Sequence, residues 1–316
     1  MLMKKTICFL LLFTALLGPG CQRNQKPTIA FIAGAATDFW TLAENGCNQA
    51  AKELPEYNVI FKYTTDGATE EQKRLIEDLL VNNVSGIVVS PLDPVNQSPL
   101  IDKTAEQIPV IITDSDIPGS KRLCYVGTSN IDAGKSAGQL IKEALPAGGK
   151  VMLFVGKSDA QNAKERIAGI EAALKGSNIT IAGVKTDNID RVRAKANVND
   201  VLVSNPEINC FVGLWSYNGP AILNAVRESN KLEQVKIVCF DEEEETLQGV
   251  KKGDIVGTVV QQPYEFGYQS IHLLAKYISG NKNAVPAGKQ IIIPATIINQ
   301  ANVDAFIAKM QTVRKK

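Results

Sequence analysis

Histidine is nearly missing from this sequence: His272 is the single one in 316 residues. A His-based triad or a multi-His metal site is therefore hard to build, and hydrolysis by those routes is disfavoured. Basic excess is missing too, since 34 Lys+Arg stand against 33 Asp+Glu. That balance leaves no electrostatic footprint for a nucleic-acid partner. The cysteines show no CxxC spacing, no 20–50-residue repeat is visible, and low-complexity segments are absent. What is present, 45% hydrophobic and 21% charged residues, falls in the globular range and excludes disorder and collagen. The length suggests about two domains at the usual ~150 residues each.

The first twenty residues stand apart from the fold. A short basic start, Met1-Leu2-Met3-Lys4-Lys5, precedes an apolar run from Thr6 to Leu17 that is too short for a mature spanning helix and reads as a secretory signal, 1–20. Gly18-Pro19-Gly20-Cys21 follows, and this junction resembles that of bacterial lipoproteins, which implies cleavage before Cys21 and lipid on its thiol. The remaining chain has a formal charge of −1, so membrane attachment is expected through lipid alone. Cys47, Cys124, Cys210 and Cys239 are left for an oxidising compartment; buried free thiols are favoured over a bridge, and metal binding is less favoured still.

From Pro27 onward strand and helix alternate. Short apolar runs occur at Thr28–Ala33, Val59–Tyr63, Gly86–Ser90, Pro109–Thr113, Lys150–Val155, Ile179–Val184, Asn209–Leu214, Lys236–Phe240 and Val256–Val260. Continuous runs of this length predict parallel strands covered on both faces. Amphipathic stretches lie between them, such as Phe39–Glu53, Glu70–Asn82, Ile131–Ala144, Ala163–Gly176, Asp190–Ser204 and Tyr217–Asn230. The alternation predicts βαβ units. An irregular segment, Asp114–Asn130, follows the fourth run, after which a second series begins. Two smaller sheets are expected, not one large one, with that segment as a domain crossing.

Ligands of open α/β sheets gather at the carboxyl ends of the strands. Those ends here carry Thr37-Asp38-Phe39-Trp40, Asp114, Trp215, Asp241 and Gln261, with Arg166 on a helix after the loop Lys157–Asn162. Indoles suit the C–H faces of a sugar ring, while carboxylates, an amide and a guanidinium suit its rim hydroxyls. No nucleophile and base accompany them, so the site is expected to hold and release, and the chain is not expected to be an enzyme. Each residue also has a plainer reading: Trp40 and Trp215 as core, Asp114 and Asp241 as caps, Arg166 as helix surface. The acidic run Asp241–Glu245 meets a helix dipole more readily than a metal, and neither metal nor cofactor is expected.

The chain resembles the ribose-binding branch of the periplasmic sugar-binding proteins, the capture components of ABC importers. The likeness runs from about Pro27 to Pro294 through Ile29-Ala30-Phe31, Gly86-Ile87-Val88-Val89-Ser90-Pro91 with Asp93, Ile108-Pro109-Val110, Tyr125-Val126-Gly127 with Asn130, Lys164-Glu165-Arg166 with Gly169, Cys239-Phe240-Asp241, and Gly257-Thr258-Val259 with Gln261-Gln262-Pro263. The resemblance implies an α/β clamshell: two Rossmann-like parallel-sheet lobes joined by a three-segment hinge. One lobe would comprise 27–128 plus 262–291, the other 129–261 plus 292–316, with crossings near Thr128–Asn130, Gln261–Pro263 and Ile291–Pro294.

By position, the resemblance implies an aromatic pair at Phe39 and Trp40, sugar-binding aspartates at Asp114 and Asp241, an arginine at Arg166 and a hinge glutamine at Gln261. Thr37, Asp38, Thr128 and Trp215 complete the expected ligand-binding set. Three positions depart from ribose binders: Ser115 replaces an arginine, Trp215 an asparagine, and Thr37-Asp38 an Asn-Pro. A pentose, hexose or sugar alcohol other than ribose is therefore admitted. The implied partners are a sugar and ABC permease and ATPase subunits, or alternatively a chemoreceptor or sensor kinase to which the loaded protein presents a sugar or furanosyl signal. The protein is expected to be monomeric. A sugar repressor shares the core but carries a helix-turn-helix where this chain has its signal, and a hydrolase would betray itself by product release.

Overall fold

The computed structural model describes residues 26–314 except residue 66; the expected signal and Cys21 lie outside the described residues. One six-stranded sheet contains β1 (Thr28–Ala35), β2 (Asn58–Thr64), β3 (Gly86–Val89), β4 (Val110–Thr113), β5 (Cys124–Gly127) and, from far along the chain, β11 (Gln290–Ile292). The other contains β6 (Gly149–Val155), β7 (Ile179–Thr186), β8 (Cys210–Gly213), β9 (Lys236–Phe240), β10 (Gly257–Val260) and β12 (Thr296–Ile298). Their orders, β11-β5-β4-β3-β1-β2 and β12-β10-β9-β8-β6-β7, are the same once the second series is laid on the first. Among the described residues all strand pairs are parallel except β10 with β12.

Alternate residues of β1 explain why each sheet sits between helices. Ile29, Phe31 and Ala33 join one apolar cluster, Ala30 and Ile32 another, and all five are fully buried. The helices are α1 (Asp38–Glu53), α2 (Thr69–Val81), α3 (Pro94–Ala105), α4 (Asn130–Ala144), α5 (Gln161–Leu174), α6 (Arg191–Ser204), α7 (Asn218–Glu228), α8 (Glu244–Lys252), α9 (Pro263–Ile278) and α10 (Val303–Arg314). In the second sheet Val151, Leu153 and Val155 face a cluster with α4 and α5, while Met152 and Phe154 face α6, α7 and α8.

The chain passes between lobes three times. α4, which follows the last main strand of the first sheet, packs on α5 of the second lobe; α9, which follows β10, packs on α1 of the first. Both helix pairs touch through glycine. A Cβ on Gly46 would collide with Tyr264 O and one on Gly267 with Ala43 O, just as one on Gly134 would strike Arg166 O and one on Gly169 Ile131 O. The third passage joins β11 to β12. Thr128 Oγ1 donates to Ile293 O (3.1 Å), Ile293 N to Gly127 O (2.8 Å) and Gln262 Nε2 to Pro294 O (2.9 Å), so the crossings are bonded to one another.

All nine strand runs read from the sequence appear. The segment Asp114–Asn130, read as irregular, contains β5, whose four residues are fully packed between neighbours. Among the described residues Cys47, Cys124, Cys210 and Cys239 are unpaired and buried.

Candidate ligand-binding site

A cleft opens between the lobes at the carboxyl ends of both sheets. Its empty space, open mouth included, is about 660 Å³, within the range of small-molecule sites. Eight of the ten residues expected to bind ligand line it: Thr37, Phe39, Trp40, Asp114, Arg166, Trp215, Asp241 and Gln261. Two are placed elsewhere. Asp38 is exposed at the start of α1, in a separate recess with Glu242 and Glu243, and Thr128 spends its hydroxyl on the crossing strand.

Asp114 and Asp241 are counterparts, each the residue after the third strand from the same edge of its sheet. Both adopt left-handed backbone, with φ of 59° and 66°, which Asp tolerates better than most residues. The turn is held alike in each lobe, because Tyr125 Oη donates to Asp114 O (3.0 Å) and Thr258 Oγ1 to Asp241 O (2.7 Å). Both side chains are buried. Desolvation pushes Asp114 up to about 6, with Asp241 adding to the rise and Arg166 opposing it. Asp241 is also raised by burial, against Arg166 and the amide of Gln261, whose Nε2 donates to Asp241 Oδ1 at 3.0 Å.

Arg166 is 1% exposed, and the close α4–α5 contact places it. Nε donates to Asn130 Oδ1 (2.9 Å), Nη1 to Leu214 O (2.5 Å), and the guanidinium lies 4.5 Å from the Phe240 ring centre. Asn130 in turn donates to Asp114 O at 2.9 Å.

The aromatic walls come from opposite lobes. Trp40 stands edge-on to Phe39, with centroids 4.9 Å apart, and backs onto Phe31. The Trp215 indole leans on Tyr217, and the backbone N–H of Trp215 donates to Asn218 Oδ1 at 3.1 Å. Asp187, at the end of β7, anchors this wall by accepting from Tyr217 Oη (2.5 Å), Asn218 Nδ2 (3.0 Å) and Ile189 N (2.9 Å). Ile189, which lines the cleft, is a β-branched residue at φ 69°, a strained conformation that this network sustains.

Among the described residues, five buried side-chain atoms of the cleft have no protein partner: Ser115 Oγ, Asn162 Oδ1, Arg166 Nη2, Trp215 Nε1 and Gln261 Oε1. Buried polar groups are otherwise almost always bonded, at a cost of roughly 1–3 kcal/mol for each one left unmet. Donors and acceptors together in one cleft with aromatic walls match a molecule whose hydroxyls each do both. Ser115, Asn162, Ile189, Ser216 and Tyr217 line the cleft without having been expected there. Asn162 was within reach of the sequence, because it stands four residues before Arg166 and so on the same helix face. Ile189 was not, since nothing in its residue type announces a left-handed backbone.

Comparison with known proteins adds to this picture. Residues 29–282 match the model of the periplasmic binding protein domain. The D-allose-binding periplasmic protein of Escherichia coli (strain K12) is 28% identical over 246 residues, 75% of this chain and 79% of the relative. A glucose-galactose binding protein from Geobacillus stearothermophilus superposes with a TM-score of 0.83 at 27% identity, covering 88% of this chain and 99% of that one. A XylFII-LytSN complex superposes at 0.81 and 28% identity, with coverage of 88% and 99%.

Proposed function

Because the chain belongs to the periplasmic binding protein domain family, we propose that it captures a neutral monosaccharide or related polyol outside the cytoplasmic membrane and delivers it to an ABC importer. The supporting observation is the set of five unpartnered donors and acceptors on residues that line one cleft with tryptophans from both lobes. In this reading Asp114 and Asp241 accept from ring hydroxyls, Arg166 Nη2 and Trp215 Nε1 donate, Gln261 Oε1 accepts, and Thr37, Phe39, Trp40 and Trp215 enclose the ring. One guanidinium facing two buried carboxylates gives a phosphate or carboxylate on the sugar no favourable place. Asp38 and Thr128 serve the mouth and the crossing. Lipid on Cys21 holds the protein at the membrane surface.

A second reading, presentation of the loaded form to a sensor kinase, is favoured by one observation, the likeness to the XylFII-LytSN complex. Both readings share the sugar site. The deciding experiment is thermal denaturation and titration calorimetry of residues 21–316 with D-ribose, D-allose, D-glucose, D-galactose, D-xylose, L-arabinose and myo-inositol. A ligand at 100 times its Kd stabilises the native state by about 2.7 kcal/mol. A raised Tm with one of these sugars is expected; no shift with any at millimolar concentration would overturn the proposal.

A further inference from the structure

One bond crosses the cleft inside the site. Asn162, in the first turn of α5 and 6% exposed, donates from Nδ2 to Oδ2 of Asp114 in the other lobe at 3.1 Å. Its own Oδ1 is buried and unpartnered. Asp114 Oδ2 also receives the Ser90 hydroxyl at 3.3 Å. A second contact lies nearby, Lys157 Nζ to Gly67 O at 3.5 Å, so the loop leading into α5 touches the first lobe at two points.

We propose that Asn162 determines both closure and selectivity: Nδ2 ties the lobes together through Asp114 Oδ2, while Oδ1 accepts a ligand hydroxyl beside the one taken by Asp114 Oδ1. This rests on the sugar-binding reading of the cleft and narrows it to ligands with two adjacent hydroxyls. Two neighbouring acceptors, each without a protein donor to spare, call for two neighbouring donors, which a vicinal diol supplies and a deoxy analogue does not. The amide is suited to the task because it donates to the carboxylate and accepts from the sugar without adding charge. Asn162 and Arg166 share one face of α5, so the helix delivers the latch and the guanidinium together.

Asn162→Asp is the informative change. It keeps the shape and replaces the donor with an oxygen facing Asp114, so the pair can bond only by sharing a proton. The groups around Asp114 are Arg166 on α5, Asp241 beyond β9, the Tyr125 phenol on β5, and the uncharged Ser90 and Asn130. Affinity for whichever sugar of the panel the wild type binds, measured by calorimetry as a ratio to wild type, should fall more than about thirtyfold at pH 7.5 and recover about tenfold at pH 5. Asn162→Ala should lose about tenfold at both pH values, the scale of an unmet buried acceptor. The 2-deoxy and 3-deoxy forms of that sugar should separate in wild type and converge in Asn162→Ala.

Small-angle scattering of both variants without sugar should show a larger radius than wild type. Affinities within twofold of wild type, or a loss in Asn162→Asp with no recovery at pH 5, would overturn the proposal. If the wild type bound none of the sugars, the functional reading would fail and the scattering comparison would still decide the latch: an unchanged radius refutes it.

Discussion

Asp114 and Asp241 sit where a carboxylate is costly, and the cost sets their behaviour with pH. Burial raises both. For Asp114 the protonated form contributes stability that is complete below the ordinary carboxyl value of about 3.9 and lost as pH rises through about 6. Denaturation of the unliganded protein should therefore show stability falling across that window, with a flatter profile in Asp114→Asn. Hydroxyls donating to the carboxylate favour its ionised form, so sugar affinity should rise over the same interval. Calorimetry at pH 4.5 and 7.5 would check this, and equal affinities would count against Asp114 as acceptor. Asp241→Ala should weaken binding by roughly 2–4 kcal/mol, as for a charged hydrogen bond removed from a dry site. Trp40 and Trp215 are the only tryptophans. Sugar should change the emission, and Trp215→Ala should cost about 1–3 kcal/mol of affinity. Unchanged emission with unchanged affinity would make the indoles core residues.

Helix pairing carries the lobes' shape, and glycine makes it possible. Gly134 faces Arg166 O across α4 and α5, and Gly46 faces Tyr264 O across α1 and α9. Gly134→Ala and Gly46→Ala should each lower the urea midpoint by the equivalent of about 1–3 kcal/mol without changing the slope, as overpacking does. Gly134→Ala should also weaken sugar binding, because it displaces the backbone of Arg166; a silent Gly134→Ala would show that the two helices separate freely. The main strands and most helices were legible because burial on both sheet faces forces continuous apolar runs. β5 was not, being four residues set among Pro118, Gly119 and Gly127. α3 carries Pro99 in its interior, which masks the helical signal, and β11 and β12 are three residues each, too short for any period. Strand ends located most of the cleft from sequence. The Asp187 network and the φ of Ile189 depend on residues brought together only by folding.

The whole molecule is two lobes whose sheets share one strand order and meet at three bonded crossings. A few residues at such crossings can absorb a closing motion. Scattering with and without a tight-binding sugar should show the radius shrinking, and no change would mean that the cleft is rigid. The exchange of α4 and α9 between lobes has a further consequence, for the order of events on the ribosome. The first sheet has β1 to β5 in hand by Gly127, yet α9 (Pro263–Ile278), which shares one of its faces with α1, and the edge strand Gln290–Ile292 are complete only about 160 residues later. At 5–20 residues per second that interval lasts roughly 10–30 s. Until it ends, Ile29, Phe31 and Val88 are covered from α1 alone and lack Phe266, Ile271 and Leu274 of α9, so the first lobe cannot be completed until the chain is nearly finished.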